Sequence, residues 1–488
     1  MPTYEPVIGL EVHAELQTTS KMFCGCAIVD STTAAPNTAV CEICTGMPGT
    51  LPVINKRAVE YALRVAAALQ CSVAEISVFA RKNYFYPDLP KGYQISQYEL
   101  PLAEHGWITI QTGDTSKQIP VRRVHLEEDT GKLFHREGSS LIDFNRSGVP
   151  LLEIVSEPAM HSVEEAKAYA VALRSLVRYL EVNSGDMEKG VMRFEANISV
   201  RPAGSTELGT RTEVKNLNSF RSMERAIEYE INRQTSLLEQ GKAVIQETMG
   251  WNDEAGETYP QRSKEEAHDY RYFPEPDLPP LRIDQGWLTS IRTSLPELPA
   301  EKIDRYQHEL MLSRYQAGII AQEKDTSAYF EAAVKAGDDL PPSTLANWLT
   351  GELFSLLHQD ESGIASIPFT PNHLVELVRL LEEKRINQTT AKSVLAAVYA
   401  NGDSPADYVA SHNLSRVEDS NRLRRLVEET LHANPDQVED YLDGKTTLSK
   451  WFFGQVMRAT KGRADPGTLN KILDESLKKL DDGRTDAA

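Results

Sequence analysis

Five stretches of this chain set polar, reactive side chains at alternate positions. Met192–Arg201 reads MRFEANISVR. Met192, Phe194, Ala196, Ile198 and Val200 are apolar or small, whereas Arg193, Glu195, Asn197, Ser199 and Arg201 are all polar and able to hydrogen-bond. Side chains on a strand point to opposite faces with a period of two. Such a strand therefore sets one face in a core and offers the other for chemistry. Two arginines flanking a carboxylate and an amide suit an anion and a metal. Taken alone, the strand fits an ordinary exposed sheet face equally well.

Four companions shift that balance. Over 7–17, Leu10, Val12, Ala14 and Leu16 oppose Glu11, His13, Glu15 and Gln17. Over 122–129, Arg123, His125, Glu127 and Asp129 share a face, with Val124 and Leu126 behind them. The run LLEIVSEP inserts Glu153 between Leu152 and Ile154. A carboxylate there is costly to desolvate unless it is paired or ligates a metal. RTEVKN places Arg211, Glu213 and Lys215 on one face. Glu11, His13, Glu127 and Glu153 offer the oxygen and imidazole donors of a Mg²⁺ site. Arg193, Arg201, Arg211 and Lys215 offer donors for phosphate oxygens. A metal with basic residues is the apparatus of phosphoryl transfer. No Walker A or dinucleotide-binding glycine loop is present, so any nucleotide must bind on these strands. A lone histidine is more often structural, but His13 shares its face with Glu11.

These strands require a sheet. Half-buried alternation predicts an antiparallel one, covered on one side and open on the other. The expected class is α+β: an antiparallel cradle with flanking helices, then an all-α domain, then a small helical tail. The expected divisions are 1–294, 295–405 and 406–488. Helices are predicted over 163–180, opened by a capping box at Ser162 and Glu165, and over 221–240, stopped by Gly241. The loop 82–99, KNYFYPDLPKGYQISQYE, is either a packed loop or a binding loop. The prolines of 269–281, DYRYFPEPDLPPL, forbid helix and central strand, which predicts a strap at a domain boundary. After about residue 295, helical periodicity takes over at 300–315, 326–336, 343–357, 371–383 and 388–400.

Composition bounds the rest. The 488 residues allow more than one domain, and a formal net charge of −19 excludes a nucleic-acid binder held by overall charge. DNA and membranes are not expected partners. No apolar run approaches the roughly 18 residues of a membrane span. MPTYEPVIGL lacks the features of a signal peptide, so a cytoplasmic location is expected. Four of the five cysteines form a C-x-C and a C-x-x-C pair: Cys24 and Cys26, then Cys41 and Cys44. That pattern favours a tetrahedral structural Zn²⁺ over the loop 24–44. Cys71 is expected to be a buried thiol. In the tail, Lys445, Lys450, Arg458, Lys461 and Arg463 gather into a local basic patch that could meet phosphates or be a solvated helix end.

The chain resembles the GatB family, the tRNA-facing partners of the amidase in the aspartyl/glutamyl-tRNA amidotransferases. The matching segments include VIGLEVHAEL, HLEEDTGK, FNRSGVPLLEIVSEP, EANISVRP, TEVKNLNSF, both aromatic loops above and GQVMRATKGRADP. They run in family order to near residue 466. WFFGQVM in the tail departs from the milder aliphatic run expected there. The resemblance implies a heterotrimer with an amidase subunit and a small third subunit. It implies that ATP phosphorylates the side-chain carboxyl of Glu-tRNA(Gln) or Asp-tRNA(Asn), and that ammonia from the amidase then displaces phosphate. On this chain the family's Mg²⁺ ligands fall on His13, Glu127 and Glu153, with Glu11 and Glu128 adjacent. Glu128 should face away from Glu127 unless the strand bulges. The implied zinc ligands are the four clustered cysteines. Arg193 and Lys215 join the catalytic set, with Arg193, Glu195, Asn197, Ser199, Arg201, Arg211 and Lys215 around the nucleotide. Lys445, Arg458, Lys461 and Arg463 are expected to touch tRNA. The alternatives are a non-catalytic scaffold that presents tRNA, an amidotransferase with its own amidase, and a zinc hydrolase. No amidase signature is present, and four thiols leave no open zinc position.

Overall fold

The computed structural model describes residues 3–113, 115–261, 270–414, 420–460, 462 and 464–485. The chain divides into two compact units, Met1–Lys302 and Ile303–Ala488.

The first unit is built on a nine-stranded sheet. Its strands are β1 (Tyr4–Glu15), β2 (Ser72–Val73), β3 (Ala103–Thr112), β4 (Thr115–Glu128), β5 (Pro150–Ser156), β6 (Met192–Pro202), β7 (Thr212–Leu217), β8 (Glu247–Asn252) and β9 (Glu257–Pro260). Their spatial order is β9-β8-β7-β6-β1-β5-β4-β3-β2. Every pairing is antiparallel except β7 with β8. Helices α1 (Lys56–Ala68), α2 (Val163–Tyr179) and α3 (Phe220–Glu239) contribute the other half of the core. Leu10, Val12, Ile154, Phe194 and Ile198 from the strands are buried in one apolar cluster with Leu63, Leu173, Met223 and Ile227 from the helices. Burying each such side chain contributes about 1.5–3 kcal/mol, which fixes the register and turns the alternate residues outward.

Ser162 accepts from the Glu165 amide at 3.1 Å and so opens α2. The box closes one residue early, because the Glu165 carboxylate receives the His161 amide at 2.7 Å. Cys71 is buried against Gly106, where a Cβ would lie 2.3 Å from its sulfur.

A smaller sheet forms the wall of the unit. Ala80–Asn83 pairs with Tyr93–Ser96 on one side and with Phe273–Pro274 on the other. The proline-rich strap thus supplies an edge strand, the place where a missing N–H is tolerated.

In the second unit the described residues contain helices and no strand. One core holds Leu345, Leu353, Leu374, Val378 and Leu395; a separate one holds Leu423, Val427, Phe452, Leu469 and Leu473. The single helix expected over 300–315 is two, Pro299–His308 and Arg314–Gln322. Met311 takes a φ of +55° between them, and Ser313 with Gln316 forms a capping box that starts the second. A π-helical turn at Leu349–Leu353 interrupts the stretch expected over 343–357. Among the described residues no helix is long and apolar enough to cross a membrane.

Candidate active site

Strand register assembles the site. Strands β6, β1, β5 and β4 lie side by side, and pairing sets Arg193, His13, Glu153 and His125 in one row across them. Glu195 and Glu11 form the next row. Glu127 follows His125 two residues along β4, on the same face. His13 Nε2 lies 3.4 Å from Glu153 Oε2 and 3.6 Å from Glu127 Oε1. His125 Nε2 approaches Glu153 Oε2 at 3.3 Å. One ligand atom from each of His13, Glu127 and Glu153 falls within 4.8 Å of the others, and the same holds for Glu11, Glu195 and Glu213. All six residues line a cavity of about 450 Å³.

Two basic groups on this face are held by acids. Arg193 donates to Asp129 at 2.8 Å and lies 3.5 Å from Glu15. Lys215 sits 3.1 Å from Glu195 and 3.2 Å from Glu213. Both cations titrate above their usual range: burial opposes the charge, and these carboxylates outweigh it. Burial also works against charge on His13, but Glu153, Glu195 and Glu127 lift it to about 9. Burial favours the neutral form of Glu153, yet His125 and His13 hold it well below the usual carboxylate range. Glu11 is pushed up to about 7 by burial and then by Glu153, Glu195 and Glu213. A surplus of acid of this kind is what a bound cation would neutralise.

The face expected from the sequence is only partly gathered here. Glu11, His13, Glu127, Glu153, Arg193, Glu195, Arg211 and Lys215 line the cavity. Asn197 donates to Glu11 at 2.8 Å from behind the lining. Ser199 donates to the Val7 carbonyl at 3.4 Å, and Arg201 to Glu5 at 2.7 Å; neither reaches the cavity. Glu128 stands apart from the trio. It pairs with Lys91 and accepts from the Ile95 amide at 3.0 Å. The strand does not bulge there: Glu128 and Glu127 pair in unbroken register with Pro150 and Leu151.

Several cavity residues escape the strand pattern. Lys82, Tyr84, Tyr98, Tyr270 and Tyr272 come from the two aromatic loops. Those loops are conspicuous in composition, but nothing in the sequence says that they meet. Tyr98 and Tyr272 stack with centroids 4.1 Å apart, Tyr84 packs edge-on to Tyr270 at 5.9 Å, and Lys82 lies 4.9 Å from the Tyr270 ring. Glu213 falls on a polar face by alternation, but its grouping with Glu11 and Glu195 needs the β6–β7 register.

The four clustered cysteines bring their sulfurs within 4.8 Å of one another. Tetrahedral zinc at a Zn–S distance of about 2.3 Å has S···S edges of roughly 3.8 Å; Cys41 and Cys44 are 3.9 Å apart. The Cys41 amide donates to Cys44 Sγ at 3.2 Å and Lys21 Nζ does so at 3.6 Å. The Cys44 thiol is lowered to about 4, chiefly by hydrogen bonding from Cys24, while Cys24 itself is raised. The donor set fits a closed zinc site. In the tail, Lys445 is paired with Asp440 at 2.7 Å and Arg458 is exposed; Lys461 and Arg463 lie outside the described residues.

Residues 6–289 match the GatB/GatE catalytic domain family, and residues 328–477 match the GatB domain family. The chain is 48% identical over 475 residues to the aspartyl/glutamyl-tRNA(Asn/Gln) amidotransferase B subunit of Persephonella marina, covering 97% of this chain and all of that protein. It is 49% identical to the B subunit of Thermodesulfovibrio yellowstonii over 477 residues, 98% of this chain and all of the relative. The B subunit of Solidesulfovibrio magneticus is 49% identical over 482 residues, again 98% of this chain and its own full length. With relatives this similar over essentially the whole length, the chain belongs to the GatB family, the B subunits of the aspartyl/glutamyl-tRNA(Asn/Gln) amidotransferases.

Proposed function

We propose that the polar face of the sheet carries the ATP-dependent phosphorylation of the side-chain carboxyl of Glu-tRNA(Gln) or Asp-tRNA(Asn). Ammonia delivered by a partner amidase subunit then gives Gln-tRNA(Gln) or Asn-tRNA(Asn). The observation that carries this reading is the His13–Glu127–Glu153 trio, three hard donors that open onto a charged cavity. A carboxylate does not react with ammonia, because oxide is too poor a leaving group, whereas phosphate leaves readily. Phosphoryl transfer needs positioning and charge stabilisation and no covalent nucleophile.

The donor set fits Mg²⁺, which when bound would offset charge on the transferring phosphoryl group. His13, Glu127 and Glu153 would hold it, and Glu11, Glu195 and Glu213 could take a second cation. Asp129 orients Arg193 at 2.8 Å, and Lys215 moderates the repulsion between Glu195 and Glu213. Arg211 is exposed on the cavity lining, where a guanidinium can meet the triphosphate. Within the nucleotide set expected from the sequence, Arg211 is the cation without an ion pair among the described residues, whereas Arg193 and Lys215 line the cavity held by carboxylates. The aromatic wall would shield an acyl phosphate from water. Residues 1–294 serve as the catalytic cradle, 295–405 as a helical domain and 406–488 as the tRNA-facing tail. The work is done in the cytoplasm as a complex with the amidase and small third subunits. The cysteine cluster holds structural Zn²⁺.

Glu153→Ala in the assembled complex tests the reading. Amidation should fall at least about 100-fold while tRNA binding persists. Normal amidation by this variant would overturn the phosphorylation site and leave a tRNA-presenting scaffold.

A further inference from the structure

The cations of the cavity differ in how far the protein has already neutralised them. Arg193 is held by Asp129 and Glu15, Lys215 by Glu195 and Glu213, and Arg122 by Glu157. Arg123 is tied to the carbonyls of Gln97 and Tyr98 and to His125. Lys82 lines the same cavity, yet among the described residues its ammonium makes no ion pair and no hydrogen bond; it lies over the Tyr270 ring at 4.9 Å. Arg211 is likewise without an ion pair among the described residues, but it is exposed.

Lys82 is not loose. It lies on the strand Ala80–Asn83 between two residues that lock the strap. Arg81, on the opposite face, grips Glu275 with two hydrogen bonds of 2.7 and 2.8 Å and stacks over Tyr93 at 4.2 Å. Asn83 donates to the carbonyls of Tyr270 and Arg271 at 3.3 and 2.9 Å. The lock holds Lys82 among Tyr84, Tyr270 and Tyr272, within the electrostatic reach of Glu127 and Glu153. An ammonium in an aromatic pocket, with its donors uncommitted, is prepared for an anion that arrives with the substrate. Two anions must meet in this reaction, a triphosphate and a carboxylate. The metal trio suits the first.

We propose that Lys82 is a catalytic residue that binds the acceptor side-chain carboxylate and holds the same group as its acyl phosphate; this rests on the phosphorylation reading above. One carboxylate oxygen attacks the γ-phosphorus, and the bond to ADP breaks with its electron pair leaving on ADP. The other carboxylate oxygen stays on Lys82. Ammonia then attacks the acyl carbon, the C–O bond breaks, and phosphate departs with one proton from the nitrogen. Lys82 remains an ammonium throughout.

The test uses the assembled complex with Glu-tRNA(Gln) and γ-labelled ATP. Single-turnover acyl-phosphate formation is compared with binding of a non-hydrolysable ATP analogue for wild type, Lys82→Met and Lys82→Arg. Lys82→Met should slow phosphorylation about 100-fold and raise the KM for aminoacyl-tRNA. Its analogue affinity should stay within about twofold of wild type, and Lys82→Arg should recover about tenfold of the lost rate. A role confined to packing would not follow charge in this way. Should Lys82→Met fail to fold, Lys82→Gln gives the same contrast. Undiminished phosphorylation overturns the proposal, as does an equal loss of analogue affinity, which would assign Lys82 to the nucleotide. If wild type itself forms no acyl phosphate, the phosphorylation reading fails instead.

Discussion

Two candidate ligand clusters in the first unit meet the same distance condition on opposite kinds of support. The sulfurs of Cys24, Cys26, Cys41 and Cys44 lie within 4.8 Å of one another, and so do the donors of His13, Glu127 and Glu153. The thiols flank a mostly exposed stretch, DSTTAAPNTA, that is held by polar contacts such as the Asn37 and Ala39 amides on Asp143 and Asn145, so on the proposed reading a bound zinc would add the cross-link that a core supplies elsewhere. The harder donors sit on adjacent strands whose reverse face is a packed core, so the fold orders the site. On that reading zinc adds structure in one place, and structure makes the site in the other. Losing a ligand should therefore cost order in the first case and activity in the second.

The largest effect is expected from the zinc cluster. Structural zinc contributes on the order of 10 kcal/mol to small metal-ordered units. Cys44→Ser or chelation should release zinc and expose 24–44 to rapid amide exchange, read by mass spectrometry. Slow exchange in that loop without metal would remove the contrast. The strap comes next. Arg81→Ala leaves Glu275, whose side chain is fully buried, without its partner, at a cost of about 3–5 kcal/mol in a denaturant melt. A loss below about 1 kcal/mol would mean that the latch behaves as a surface pair.

The trio of His13, Glu127 and Glu153 should show the reverse signature. Glu153→Gln is expected to slow amidation by about 10²–10³, equivalent to about 2.7–4 kcal/mol of barrier, with a melting temperature near wild type. A fall in stability matching that of Cys44→Ser would break the comparison. The smallest effect belongs to the tail. Arg458→Ala should lower the salt dependence of tRNA binding by roughly one ion. Lys445→Ala should change it less, because Asp440 already holds that ammonium.

Local rules carry much of this molecule. The period of two in MRFEANISVR places β6 and its polar face, Ser162 locates the start of α2, and cysteine spacing locates the thiol cluster. Alternation also turns Glu128 away from Glu127, and its partners are Lys91 and Ile95. Register-dependent features are out of reach. No local pattern says that His13 stands opposite both Arg193 and Glu153, or that Glu213 joins Glu11. Pairing also decides which cations stay available: Arg193 and Lys215 look like phosphate ligands in sequence, but Asp129, Glu195 and Glu213 hold them. Lys82 and Tyr272 are about 190 residues apart and meet only through the strap, so the wall of the cavity could not be assembled from sequence.

The central claim is that the side-chain carboxyl is activated by phosphorylation in this protein's cavity. Glu-tRNA(Gln) labelled with ¹⁸O in that carboxyl, given to the assembled complex with ATP and glutamine, tests it most directly. One ¹⁸O should appear in each inorganic phosphate released, and Glu153→Gln should slow that transfer by the same factor as amidation. Amide formed with unlabelled phosphate, or transfer by Glu153→Gln at the wild-type rate, would contradict the account.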